Sequence, residues 1–166
     1  SLKLPQLVAL KATAETKLND VISKNTLYNN KVNERMIAFG NLKSLSTRIV
    51  NALQTTDATD ETIDDAKGFN RKLQGKKAST TQTPTDPNAP APSTISTSQQ
   101  SYDQLIQHFS GLKSVLEAEP TYTPNETELQ VATLNAKIAD LNTKNTAVAT
   151  AYTNISNSRI SRNETL

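Results

Sequence analysis

Along the first third of the chain the apolar residues keep helical time. Leu18, Val21, Tyr28, Val32, Phe39, Leu42, Ile49 and Leu53 recur at alternating steps of three and four, and Asn25, Arg35 and Ser46 fill the slots between them. No glycine or proline interrupts the run between Pro5 and Gly40. The spacing predicts one long helix from about residue 5 to about residue 53, roughly 70 Å at the α-helical rise. A kink is expected near Gly40, since an interior glycine weakens a helix by about 1 kcal/mol relative to alanine.

A second, shorter helix is predicted over about 60–76. Thr59 or Asp60 is a natural N-cap, Glu61, Asp64 and Asp65 crowd the first turns, and Arg71, Lys72, Lys76 and Lys77 crowd the last. Acid first and base last suits the helix dipole. Gly75 can supply a left-handed closing residue, and Ile63, Ala66, Phe69 and Leu73 form the apolar stripe. Residues 78–97 follow with Pro84, Pro87, Pro90 and Pro92 and with Asp86 as the sole charge, a composition that supports no regular element and reads as a crossover within one domain.

The helical period returns over about 98–118, where Tyr102, Leu105, Ile106, Phe109, Leu112, Val115 and Leu116 share a face. Thr123, Pro124 and Glu126 then stand at N-cap, first and third positions, the arrangement of a capping box. From it a second long helix is predicted over about 124–163, with Val131, Leu134, Ile138, Leu141, Val148, Tyr152 and Ile155 in heptad spacing and Asn145 in the slot between Leu141 and Val148. The expectation is an all-α fold: a single domain over 1–166, a four-helix bundle of two long and two shorter helices with a long proline-rich crossover between the second and third.

The two long helices echo one another. Residues 12–26, ATAETKLNDVISKNT, and 132–146, ATLNAKIADLNTKNT, share seven identities and place Asn25 over Asn145. A buried polar residue at a heptad core position fixes register or partner number at some cost in stability. Asn25 and Asn145 are therefore candidate register-setting polar core residues.

Composition narrows the chemistry. The chain of 166 residues is 35% hydrophobic and 4% aromatic, so any core is built from Leu, Ile, Val and Ala. With no cysteine, there is no disulfide, thiolate nucleophile or thiolate metal site. No run of apolar residues is long enough to span a bilayer. A chain opening at Ser1 fixes no compartment, and the cytoplasm is the default expectation. Net charge is +2, unevenly divided: residues 1–77 carry 13 Lys and Arg against 8 Asp and Glu, and residues 78–166 carry 5 against 8.

Little of this resembles a catalytic constellation. The single histidine, His108, lacks the Glu-x-x-His pairing of bundle metal sites, the four glycines are isolated, and no phosphate-cradling loop exists. No cofactor and no metal site is expected. The expected function is a non-catalytic structural or protein-interaction module whose helical faces bind another protein or a copy of itself. One alternative is contact with nucleic acid or an anionic surface through Lys67, Arg71, Lys72, Lys76 and Lys77, although that cluster is already explained as a helix end. Another is a small-ligand pocket near Tyr28, Phe39 and Phe109.

Overall fold

A computed structural model of the chain describes residues 3–75 and 101–165. Among them the fold is all-α, without a strand, and each of the four predicted stretches is helical. The first is interrupted at Gly40 and Asn41, giving α1 (Leu4–Phe39) and α2 (Leu42–Gln54); then come α3 (Asp60–Gln74), α4 (Tyr102–Glu117), a single 3-10 turn (Thr127–Leu129) and α5 (Val131–Thr165). Lys76, Lys77, the proline-rich crossover and the predicted first residues of the third helix lie outside the described residues.

Local signals account for α3 at both ends. Thr59 Oγ1 accepts from the Thr62 backbone N–H at 3.3 Å, Asp60 and Glu61 occupy the first turn, and Arg71 and Lys72 the last. Gly75 closes the helix at φ 73, the left-handed conformation that a side chain resists.

The predicted start of the last helix is corrected. Thr123, Pro124 and Glu126 do not cap it, because Glu126 is taken by Arg48, which also holds Glu128 at 2.7 Å. The strand-like backbone at Glu126 leads into the 3-10 turn, and α5 begins at Val131. Tyr122, buried beneath this connection, donates its phenol O–H to the Leu129 carbonyl at 2.6 Å.

The described residues form two compact units. One, a helical pair, joins the residues up to Gly40 with those from Asp140 onward; the other, a helical cluster, is Asn41–Ala139. In the pair, α1 and α5 run antiparallel, because the α1 partner rises from 17 to 35 as the α5 partner falls from 161 to 145. Lys17 Nζ donates to Ser161 Oγ (3.0 Å), Ser158 Oγ donates to Asp20 Oδ2 (2.7 Å), the rings of Tyr28 and Tyr152 lie 6.1 Å apart, and Arg35 Nη1 donates to Asn145 Oδ1 (3.0 Å). Its apolar interior is thin: Val21 and Phe39 from α1, and Leu141, Val148, Ala151 and Ile155 from α5.

The cluster has the fuller core. Leu42, Ile49 and Leu53 of α2, Leu73 of α3, Phe109, Leu112 and Leu116 of α4 and Leu134 of α5 are each at most 1% exposed. Burying a side chain of that size contributes roughly 1.5–3 kcal/mol, which makes these residues the main store of stability. α3 packs most extensively on α4, and the approach is close because Gly111 has no Cβ: a Cβ there would stand 2.3 Å from Cε1 of the Phe69 ring. Between α2 and α3 a polar set is enclosed. Ser46, fully buried, donates to Asn70 Oδ1 at 2.8 Å, and Gln74 Nε2 lies 3.1 Å from the same oxygen and 2.9 Å from the Lys43 carbonyl.

Candidate functional site

On α1 the buried and half-buried positions facing α5 include Ala14, Lys17, Val21, Lys24, Tyr28, Lys31 and Arg35, alternating steps of three and four. This seam shares Val21, Tyr28 and Arg35 with the stripe read from sequence and lies one residue earlier at Lys17, Lys24 and Lys31, while Phe39 of that stripe is buried as read. Lysines take those places because their methylene stems cover apolar surface while the ammonium group reaches water.

Asn25 is consequently exposed rather than buried. It lies between the Asp20–Ser158 and Tyr28–Tyr152 contacts, opposite a different part of α5 from Asn145, so the two asparagines do not meet. Asn145 is half-buried and accepts from Arg35. The enclosed polar residues that the pattern already marked as interruptions, Arg35 and Ser46, have the partners expected of register-setting groups: Asn145 for one, Asn70 for the other. The signal that could have found them was the interruption itself.

The basic end of α3 is a helix terminus in the structure. Lys67 is partly buried, Arg71 and Lys72 are exposed, and the Lys72 ammonium lies 5.3 Å from the centroid of the Phe69 ring. Its surroundings disfavour a polyanion. The described residues of the cluster carry seven Lys and Arg against ten Asp and Glu, whereas those of the pair carry nine against five, so the positive charge of the first half travels with the pair.

His108 is buried on α4, 8% exposed. Among the described residues no group of three His, Asp or Glu side chains is placed to hold a metal ion, and no helix is long and apolar enough to cross a membrane. Phe109 is fully enclosed and Phe39 nearly so, filling space rather than bordering it. The grooves among the described residues are shallow; they include one of about 500 Å³ along the pair beside Leu27, Lys31, Thr143, Ala147, Thr150 and Ala151, and one of about 180 Å³ in the cluster between Leu45, Arg48, Leu134 and Lys137. Neither is lined by Tyr28, Phe39 or Phe109.

The distribution of exposed apolar side chains is the most informative feature. Leu4, Leu7, Val8, Leu10, Leu18, Ile22, Leu27, Met36, Ile37, Tyr152 and Ile160 are each between 42% and 76% exposed, and every one belongs to the helical pair. The cluster contributes none among the described residues. Scattered exposed aliphatics are ordinary, whereas their concentration on one unit marks a surface that gains from being covered. No family model, no curated protein and no solved structure matches this chain.

Proposed function

We propose that the protein is a non-catalytic helical module whose role is to bind another protein chain through the exposed faces of the α1–α5 pair. The observation that carries this reading is that, among the described residues, the large exposed apolar side chains are all confined to that pair. A two-helix unit buries only a narrow seam, and further helices laid against it would cover what remains.

The test is affinity capture with the immobilised chain, comparing wild type with a variant in which Leu18, Ile22 and Met36 are replaced by Gln. These side chains are exposed, so the variant keeps its fold. The expected result is a protein, this chain included, retained by wild type at physiological salt and lost by the variant. An identical retained set in both would sink the reading.

A further inference from the structure

On α1 a second heptad stripe runs beside the buried seam. Glu15, Leu18, Ile22, Asn25, Asn29, Val32 and Met36 each follow a seam residue by one position, about 100° around the helix, and Leu4, Val8 and Lys11 extend the row towards the N-terminus in the same rhythm. All are exposed except Val32, which is half-buried. Two contact faces about a right angle apart are what a corner helix of a four-helix bundle presents to its two neighbours. α5 occupies one of these faces in this structure.

The stripe is its own complement when read backwards. About position 20, Leu4 mirrors Met36, Val8 mirrors Val32 and Leu18 mirrors Ile22, apolar against apolar. The polar members mirror one another too: Lys11 against Asn29, and Glu15 against Asn25. No apolar residue is set against a charge. Each polar pair joins groups able to bond across a helix interface, an ammonium with an amide oxygen and a carboxylate with an amide N–H.

Building on the reading of the pair as a binding surface, we propose that the occupant of this stripe is a second copy of the chain, its α1 packed antiparallel on the first about a two-fold axis at position 20. The contact is isologous and closes on itself, making a four-helix assembly from two α1–α5 pairs. Its extent suits a reversible dimer. The stripe from Leu4 to Met36 is about 48 Å long, and a contact one helix wide, about 10 Å, buries on the order of 500 Å² per copy, close to the lower bound for a specific interface. Asn25 then has a core-like place, in the dimer rather than in the monomer.

Sedimentation equilibrium from micromolar to millimolar protein tests the pairing, with circular dichroism of each variant as the fold control. Wild type is expected to dimerise. Ile22→Glu leaves a carboxylate facing Leu18 of the second copy and is expected to weaken association on the order of a hundredfold. Adding Leu18→Lys to it sets Lys against Glu twice across the axis and is expected to restore dimerisation; in a parallel pairing it would set like charges together. Because the sequence has no cysteine, Leu18→Cys mixed with Ile22→Cys gives a direct reading of register, and the mixed disulfide should dominate over either self-linked product. A wild type that stays monomeric throughout, an Ile22→Glu variant that associates as well as wild type, or a mixture dominated by self-linked disulfides would overturn the proposal. A monomeric wild type whose captured protein is still lost on replacing Leu18, Ile22 and Met36 would overturn self-pairing alone and leave the interaction reading standing.

Discussion

Gly111→Ala adds one carbon where the Phe69 ring already sits. The new Cβ would stand 2.3, 2.6 and 2.9 Å from Cε1, Cζ and Cδ1 of that ring, against about 3.5–4.0 Å for carbons at rest. The ring must retreat by more than an ångström, or α3 and α4 must separate. Overpacking of this kind costs about 1–3 kcal/mol, while alanine in place of an interior helix glycine contributes about 1 kcal/mol. The net expectation is a loss of about 1 kcal/mol. Gly68→Ala provides the comparison, since it makes the same chemical change in α3 and its nearest neighbour, Arg71 Nη2, is a comfortable 3.8 Å away. That variant should gain up to about 1 kcal/mol. Urea unfolding followed by circular dichroism would measure both, with unchanged slopes showing that the transition itself is the same. In a Phe69→Ala background the obstacle is gone, and Gly111→Ala should become stabilising. A Gly111→Ala variant as stable as Gly68→Ala, with Phe69 intact, would refute the close approach of α3 to α4.

Three further outcomes follow from other contacts. Burial and the charge of Glu126 push the Tyr122 phenol up to about 12 from its ordinary 10. A raised acid is more stable folded while neutral, so its contribution is full below pH 10 and is lost as pH climbs from about 10 to 12; Tyr122→Phe should remove that alkaline step from a pH series of urea melts and cost about 1 kcal/mol at neutral pH through the Leu129 carbonyl it leaves. Asn145→Leu removes the acceptor for Arg35 and should cost about 1–2 kcal/mol, whereas Asn25→Ala should stay within about 0.5 kcal/mol in the monomer; equal losses in thermal melts would contradict the burial difference. Replacing Arg71, Lys72, Lys76 and Lys77 with Gln should leave DNA retention at physiological salt unchanged, because the wild type is expected to show none in a mobility-shift assay; tight wild-type binding lost in the variant would promote the anion-binding alternative.

What was legible in the sequence was what is local. Thr59, Asp60, Glu61, Arg71, Lys72 and Gly75 define α3 through contacts a few residues long, and the structure places each where those contacts require. Thr123, Pro124 and Glu126 carry a local signal of equal quality that fails, because the Arg48 guanidinium, a distant residue in sequence, competes for Glu126 and Glu128. The heptad phase on α1 failed for a different reason. The stripe read from sequence and the one buried against α5 share Val21, Tyr28 and Arg35, and where they part the buried one carries Lys17, Lys24 and Lys31 beside Leu18, Asn25 and Val32 of the other. Hydropathy alone selects the more apolar stripe, and long lysine stems make the other usable as a seam. An interaction role was an expectation of class alone, and the place proposed for it required knowing which apolar residues the fold leaves uncovered.

The helical pair is assembled from sequence regions far apart along the chain. Arg35 meets Asn145 across 110 residues and Lys17 meets Ser161 across 144, while Ser46 and Asn70 in the cluster are separated by 24. Closing a loop of 110 residues costs about 1.3 kcal/mol more in chain entropy than closing one of 24, and it is repaid by a thinner interior. Contacts of long range and modest reward form late and open early. During synthesis the α1 helix must therefore wait, with Leu18, Ile22 and Met36 uncovered, until the last helix has emerged. In hydrogen exchange the amides of α1 and the C-terminal half of α5 should accordingly exchange ahead of those in α2 and α4.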